Sequence, residues 1–308
     1  MHLPAAESRR PFMTSNTISE VSTNGQGSKV LYSTVQQFEH TGCATAVILN
    51  YVLTGTEHYS LENKTLPVRA KQYLIINQAQ SFHVSIPYSK APVTAFGIYL
   101  SEALLADVAR NYQLPETQLL DNPFESAKSN FAFFEGVYTH DSLQSALHNL
   151  EIGLNTAKSR LHLPCQELYL QLAQELLLAH SYLTKKAFNL PAKKTSVKKE
   201  LFKRVQAAKF LLDEAPENLK ISQLAATVAL SEFHFFRTFK HAFGKSPHLY
   251  QTQKRLEKAA TFLQHESWSV GEIALAVGFA DIYSFSKAFK NYYHLSPLLY
   301  RQQFSRIG

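Results

Sequence analysis

Residues Ser231–Tyr250 read SEFHFFRTFKHAFGKSPHLY, and fifty residues later Asp281–Tyr300 read DIYSFSKAFKNYYHLSPLLY. Seven aligned positions are identical: Phe235/Phe285, Phe239/Phe289, Lys240/Lys290, Ser246/Ser296, Pro247/Pro297, Leu249/Leu299 and Tyr250/Tyr300. Three more match in kind: Phe233/Tyr283, Arg237/Lys287 and Phe243/Tyr293. A short apolar helix pattern precedes each copy, Leu224-Ala225-x-x-Val228-Ala229-Leu230 and Ile273-Ala274-x-x-Val277-Gly278-Phe279. A repeat of this length is a structural unit used twice. Short helix, tight turn and capped basic helix is the plan by which a helix-turn-helix offers one helix to the major groove of DNA.

The punctuation around the repeat supports that plan. Ser231 and Asp281, both good N-cap residues, precede the two basic helices. Ser269 with Glu272 forms a capping box opening the short helix of the second copy. Ser246-Pro247 and Ser296-Pro297 each place proline at the first helical position after a serine cap. The first of these starts a helix expected over 247–265, about 28 Å long at 1.5 Å per residue. That approaches the roughly 34 Å between successive turns of one groove, so a rigid connector of this length suits two reading helices on one face of a duplex.

Within each basic helix the phenylalanines four apart, Phe235/Phe239 and Phe285/Phe289, face the core. The outward face then carries Glu232, Phe233, Phe236, Arg237 and Lys240 in one copy, and Ile282, Tyr283, Ser286, Lys287 and Lys290 in the other. Arg237 is the candidate base reader, because a guanidinium can bond O6 and N7 of guanine together. Lys240 and Lys290, one turn on, are expected at phosphates. Each basic residue has a plainer alternative as a solvated surface charge. Phe236, Ile282 and Tyr283 are apolar where polar readers are commoner, and either touch thymine methyls or pack.

Charge is distributed to match. Residues 191–308 hold 18 Lys+Arg against 9 Asp+Glu, a net +9, whereas residues 1–190 hold 13 against 15. Such concentration is the footprint of a polyanion-binding domain. The 308 residues suit two domains, and 45% hydrophobic with 18% charged residues argues against wholesale disorder. Two cysteines, Cys43 and Cys165, supply neither a disulfide framework nor a four-thiolate zinc site, and are expected as small buried hydrophobes of a cytoplasmic protein. No run suffices to span a bilayer. The first residues, interrupted by Glu7, Arg9 and Arg10, do not resemble a signal peptide, and Met13 is an alternative start to Met1.

Upstream the pattern changes. Residues 1–28 are rich in Ser, Thr, Asn and Gly and are expected to be disordered. Strand character runs through 30–38, 44–53, 57–61, 73–77, 82–86 and 93–100, with turns at Thr54-Gly55, Glu62-Asn63-Lys64 and Pro87-Tyr88. Many short strands at this spacing imply a sandwich or barrel. Helices are expected after Ser101, over 142–154 and over 164–186, the last with Leu168, Leu172, Leu176, Ala179 and Leu183 near one face. The lysine-rich stretch 191–200 around Pro191 reads as a linker.

The residues quoted for 205–301 resemble the AraC/XylS family of bacterial transcription regulators. The resemblance rests on Leu224-Ala225, Ser231, Phe239-Lys240, Phe243-Gly244, Pro247 and Tyr250. It continues through Arg255-Leu256-x-x-Ala259, Ile273-Ala274-x-x-Val277-Gly278-Phe279, Phe285-Ser286-Lys287-Ala288-Phe289-Lys290, Ser296-Pro297 and Tyr300-Arg301. It implies a DNA-binding domain of seven helices with two helix-turn-helix motifs, binding asymmetric half-sites and activating transcription through contacts that include RNA polymerase. Lys287, His294, Ile282 and Tyr283 depart from the family's commoner residues, which bears on the sequence read.

Asn50-Tyr51-Val52-Leu53-Thr54-Gly55-x-x-x-Tyr59, Tyr73–Asn77 and His83-Val84 resemble the cupin-like effector barrels that precede this domain in many members. The implied architecture is α+β with two domains. A disordered tail over 1–28 leads to a cupin-like barrel with a helical dimerisation segment over 29–190, a linker over 191–200 and the DNA-binding domain over 201–308. Tyr51, Tyr59, Tyr73, Phe82, Phe96 and Tyr99 are candidates to line a small-molecule effector pocket, with core packing as the alternative for each. His40, His58 and His83 stand isolated, without the ligand spacing of a metal-binding cupin, so neither metal nor cofactor is expected. The 164–186 helix either packs on the barrel or pairs in a homodimer, and the family's habit favours the dimer. Double-stranded DNA is thus the expected partner, with location in the cytoplasm, at the nucleoid when bound. An enzyme fused to a DNA-binding domain would need an activated thiolate or a metal set that these residues lack. A dimeric regulator that binds no ligand remains the third reading.

Overall fold

The computed structural model describes residues 16–23, 27–61, 64–113, 131–139, 142–156, 165–217, 219–265 and 267–305. The chain is α+β, with a sheet-rich N-terminal part and a helical C-terminal part. It forms two compact units that divide between Ser181 and Tyr182. Met1, Met13, the Glu62-Asn63 turn and the Cys165 side chain lie outside the described residues.

The first unit contains β1 (Thr17–Thr23), β2 (Lys29–Val35), β3 (Phe38–Cys43), β4 (Val47–Thr54) and β5 (Thr56–Leu61). It continues with β6 (Lys64–Arg69), β7 (Tyr73–Ile76), β8 (Ser81–Ile86), β9 (Val93–Leu100) and β10 (Gly136–Tyr138). Six strands form one sheet in the order β1-β2-β9-β4-β7-β10, and four form a second in the order β3-β8-β5-β6. Among the described residues, the helices α1 (Glu102–Gln113), α2 (Ser142–Thr156) and α3 (Cys165–Phe188) follow the strands or lie between them.

Strand β4 shows how the unit is layered. Its first six residues are all buried, so both faces are covered. Val47, Leu49 and Tyr51 join Tyr73, Phe96 and Ile98 in a cluster with Leu105 of α1, Leu147 of α2, and Tyr169, Leu172 and Leu176 of α3. By the pleat, Ile48, Asn50 and Val52 point to the opposite face. Asn50 there bonds Glu57 of the other sheet, so that face lies between the sheets. The chain passes from one sheet to the other at Gly55, whose φ is +82° and where a Cβ would lie 2.7 Å from Val93 Cγ2.

Several expectations are corrected here. Residues 17–23, read as part of a disordered tail, pair with β2 as an edge strand. The strand is held by backbone bonding rather than burial, since Ile18 is 52% exposed, so composition gave no sign of it. The run 30–38 is two strands in different sheets. Strand β6 went unread because Pro67 breaks its strand pattern, although an edge position tolerates proline. Cys43 is exposed, not buried. The 164–186 helix lays Tyr169, Leu172, Ala173 and Leu176 on the sheet core, which takes up the first half of the stripe read as a dimer seam. The expected linker is helical from Thr195, where lysines serve as a helix's solvated first turns.

The second unit runs α4 (Thr195–Glu214), α5 (Ile221–Thr227), α6 (Glu232–Phe243), α7 (Pro247–His265), α8 (Val270–Ala276), α9 (Ile282–Tyr293) and α10 (Pro297–Ser305). In the first half, Phe202, Val205 and Leu212 of α4, Leu224 and Ala225 of α5, and Phe235 and Phe239 of α6 are fully buried or nearly so. In the second, Leu256, Ala259, Ala260 and Leu263 of α7 share a cluster with Ile273, Ala274, Phe285 and Phe289. The short helices end alike. Leu230 N–H bonds Ala225 O and Ala229 N–H bonds Ala226 O, while Phe279 N–H bonds Ala274 O and Gly278 N–H bonds Leu275 O. Both are Schellman stops, which need a left-handed residue after the helix. Gly278 fills that place at φ +82° and Ala229 at φ +54°.

At Gly278 a Cβ would sit 3.1 Å from the Cα of Glu217. Gly278→Ala is therefore expected to lose more stability than the roughly 1–2 kcal/mol of left-handed strain alone. Ala229→Gly exchanges relief of that strain for unfolded-state entropy, and should leave stability level or raise it by up to about 1 kcal/mol. Denaturant midpoints of the two variants check this, and equal losses would refute it.

Candidate nucleic-acid interface

The two basic helices are built alike. Ser231 Oγ accepts from His234 N–H at 3.3 Å to cap α6, and Asp281 Oδ1 accepts from Ser284 N–H at 2.7 Å to cap α9. That bond holds the Asp281 carboxyl below its usual range. Ser269 and Glu272 bond reciprocally at 3.2 and 2.7 Å, closing the box that opens α8. Ser246 and Ser296 cap α7 and α10 through Leu249 and Leu299 N–H, each at 3.3 Å. The rings behind the helices repeat as well. Phe235–Phe239 and Phe285–Phe289 centroids are both 5.5 Å apart. Phe239–Tyr250 and Phe289–Tyr300 lie at 5.6 and 5.3 Å, both edge-on. A left-handed residue, Gly244 or His294, closes each helix.

With two phenylalanines buried inward, the opposite face is exposed. Phe233, Arg237 and Lys240 are exposed on α6, and Tyr283, Lys287 and Lys290 on α9. At 100° per residue each trio falls within one narrow arc. Ile282 is exposed beside it. Phe236 and Ser286 are half-buried, and Phe236 tilts onto His248 at 5.3 Å. That pair lies at the edge of the face rather than on it. His241 and Asn291, which the sequence reading passed over, are exposed one residue beyond Lys240 and Lys290.

The residue that ties the copies together also escaped a role in the sequence reading. Arg255, on α7, donates to Pro216 O at 3.0 Å, Gly278 O at 2.9 Å and Glu217 O at 3.3 Å. Gln251, one turn earlier and buried, donates to Pro216 O and Leu219 O at 2.7 and 2.6 Å. Lys258 pairs with Glu217 at 2.8 Å. The loop after α4 and the turn before α9 are thus pinned to one helix. Along the same helix, Tyr250 donates to Asp213 of α4, and Glu257 accepts from Tyr292 of α9. Burial works against the charge on Lys254, but bonds to Glu257 and Asp213 outweigh it and raise its pKa.

In the first unit the aromatic candidates separate. Tyr51, Tyr73 and Phe96 belong to the cluster facing the helices. Tyr59 and Phe82 lie on the four-stranded sheet with centroids 6.2 Å apart. Strand alternation divides the set, and the sequence alone did not assign strands to sheets. Between the sheets lies a group the sequence reading missed, centred on Glu57. This carboxyl is only 3% exposed and accepts from Asn50 Nδ2 at 2.5 Å. Burial raises its pKa against the bonds from Asn50 and Tyr59, which lower it. His83 bonds Thr41 and His40 packs on Phe82.

The pattern of the helix-turn-helix domain family matches residues 224–303. An uncharacterized HTH-type transcriptional regulator of Haemophilus influenzae is 40% identical over 104 residues, which is 33% of this chain and 35% of that protein. The HTH-type transcriptional regulator MtrA of Neisseria gonorrhoeae is 38% identical over 93 residues, 30% of this chain and 31% of that protein. The chain thus spans about a third of the length of these curated relatives. A crystal structure of an AraC-type transcriptional regulator from Chromobacterium violaceum is 30% identical, covering 34% of this chain and 95% of its own, with a TM-score of 0.32.

Two outcomes follow from the geometry. Arg255→Ala leaves three carbonyls without their charged donor and is expected to cost roughly 2–3 kcal/mol in equilibrium unfolding. Arg255→Lys should restore little of it, because one ammonium cannot span three acceptors as a planar fork does. Full recovery by lysine would contradict the bridging role. For Glu57, the folded carboxyl holds its proton more tightly than the unfolded one at 4.5. Its contribution is therefore complete below that value and declines as pH rises towards the folded pKa. Glu57→Gln should remove this decline and raise the melting temperature at neutral pH relative to the parent. A pH–stability curve that the substitution does not alter would contradict it.

Proposed function

We propose that this chain, whose residues 224–303 match the helix-turn-helix domain family, is a sequence-specific regulator of transcription of AraC/XylS type that binds double-stranded DNA. The observation that carries the reading is the repeat realised in three dimensions. Two capped helices, α6 and α9, each bury a phenylalanine pair and expose an aromatic with two basic residues at matching positions. They flank a 19-residue connecting helix. This repeat supports two helix-turn-helix motifs entering successive turns of the major groove, with Arg237 and Lys287 proposed at base edges and Lys240 and Lys290 at phosphates. Phe233, Phe236, Ile282, Tyr283 and Ser286 complete the set as proposed, Phe236 and Ser286 from its margin.

Residues 29–190 are read as a cupin-like effector domain, with β1 added at its edge, and residues 201–308 as the DNA-binding domain. Two antiparallel sheets facing each other over Asn50 and Glu57 support that reading. An effector would act by favouring one arrangement of the chain over another, within the limit of its differential affinity. The half of α3 beyond the sheet core exposes Leu178 and Tyr182, which keeps a homodimer in view. Activation through RNA polymerase is the family's usual outcome and is proposed on that ground alone.

The test is binding to duplexes selected from a random library. Affinity should fall steeply with salt, by about 0.9 in log K per log salt for each phosphate neutralised. Arg237→Ala should cost roughly 1–3 kcal/mol on the selected site and relax preference at one base position, whereas Lys240→Ala should weaken all sequences alike. Salt-insensitive binding would refute the reading. Equal loss on selected and random DNA would move Arg237 to a phosphate.

A further inference from the structure

Among the described residues, two large apolar side chains are more exposed than any other: Phe233 at 79% and Tyr283 at 77%. They occupy the same place in the two copies, two residues after the N-cap of α6 and of α9. Their neighbours differ between copies: Glu232 against Ile282, His234 against Ser284, Phe236 against Ser286. An aromatic ring is nevertheless kept here in both. Its exposure follows from the helix itself, since the buried pairs Phe235/Phe239 and Phe285/Phe289 turn this position outward.

What would cover the rings is constrained by what surrounds them. Arg237 and Lys287 stand one helical turn further along the same face, with Lys240 and Lys290 beside them, all exposed. A cationic rim around an apolar centre fits a polyanion that also offers an apolar group. In the major groove of B-DNA that group is the C5-methyl of thymine, the one apolar feature by which base pairs differ there. The phenylalanine ring carries no hydrogen-bonding group, so Phe233 contributes by burial alone. Ile282, 51% exposed beside Tyr283, widens the apolar area of the second copy.

We infer that Phe233 and Tyr283 read C5-methyl groups, so that the preferred DNA carries thymine at one position facing each reading helix. This rests on the DNA-binding reading above. Each ring is then a specificity-determining contact distinct from the guanidinium contact of Arg237.

The experiment uses the full chain and a duplex it has selected from a random library. Each thymine is replaced in turn by deoxyuridine, which keeps every hydrogen-bonding group and lacks only the methyl. One replacement facing each reading helix should weaken binding about fourfold, the worth of one buried methyl. Phe233→Ala should abolish the penalty at one of these positions and leave the other, and Tyr283→Ala should do the reverse. Both residues are exposed, and an unchanged salt slope in the variants verifies that the phosphate contacts persist. A selected duplex whose deoxyuridine series binds uniformly would overturn the inference while leaving DNA recognition intact. So would penalties that neither substitution alters, and the rings would then belong to a protein contact. Failure to enrich any sequence would overturn the DNA-binding reading as well.

Discussion

The guanidinium of Arg255 holds the second unit in register. It sits on the connecting helix and bonds carbonyls from two places distant in sequence, Pro216 and Glu217 after α4 and Gly278 before α9. Those carbonyls close helix ends or turns, where the backbone has no partner of its own. One side chain therefore bonds all three carbonyls, sharing that of Pro216 with Gln251, and in doing so relates the turn of the second copy to the core of the first. Gln251 and Lys258, a turn to either side, repeat the attachment to the same loop. Desolvation pulls the Arg255 pKa downward, against the nearby charge of Glu217, which pulls it up.

Around that anchor the two copies reach one shape by unequal means. Both short helices stop in the same pair of backbone bonds, but one does so with Gly278 and the other with Ala229 in the left-handed region. Both basic helices close in that region too, one on Gly244 and the other on His294. The space at each position explains part of this. A Cβ at Gly278 would press on the backbone of Glu217, whereas at Gly244 nothing lies within 4 Å. Side chains are tolerated where only strain opposes them, and excluded where strain and crowding coincide. The outward faces have meanwhile diverged, with arginine opposite lysine and glutamate opposite isoleucine. The scaffold is shared and the reading is not.

The first unit places a different demand on its sequence. A strand such as β4, buried on both faces, serves two cores at once, one with α1–α3 and one between the sheets. Into the second it inserts Asn50, whose amide meets the carboxyl of Glu57. A buried carboxyl with neutral partners is more comfortable protonated, which gives this layer a pH dependence opposite to that of the helix caps at Glu272 and Asp281. Those caps favour the ionised form and weaken as pH falls.

What the sequence by itself determined lies where the interactions are local. The 247–265 helix, the caps Ser231, Ser269 and Asp281, and the buried Phe235/Phe239 and Phe285/Phe289 pairs depend on spacings of a few residues along one helix, so reading the chain sufficed. Tertiary structure alone decided the rest. The edge strand at 17–23 exists only because β2 offers it a backbone to pair with. Tyr51, Tyr73 and Phe96 went to the helix side, and Glu57 to the space between the sheets, by a parity that acquires meaning only once strands are assigned to sheets. Arg255 found acceptors 23 to 39 residues away. Such contacts are set by how elements pack against one another, and no periodicity along the chain records them.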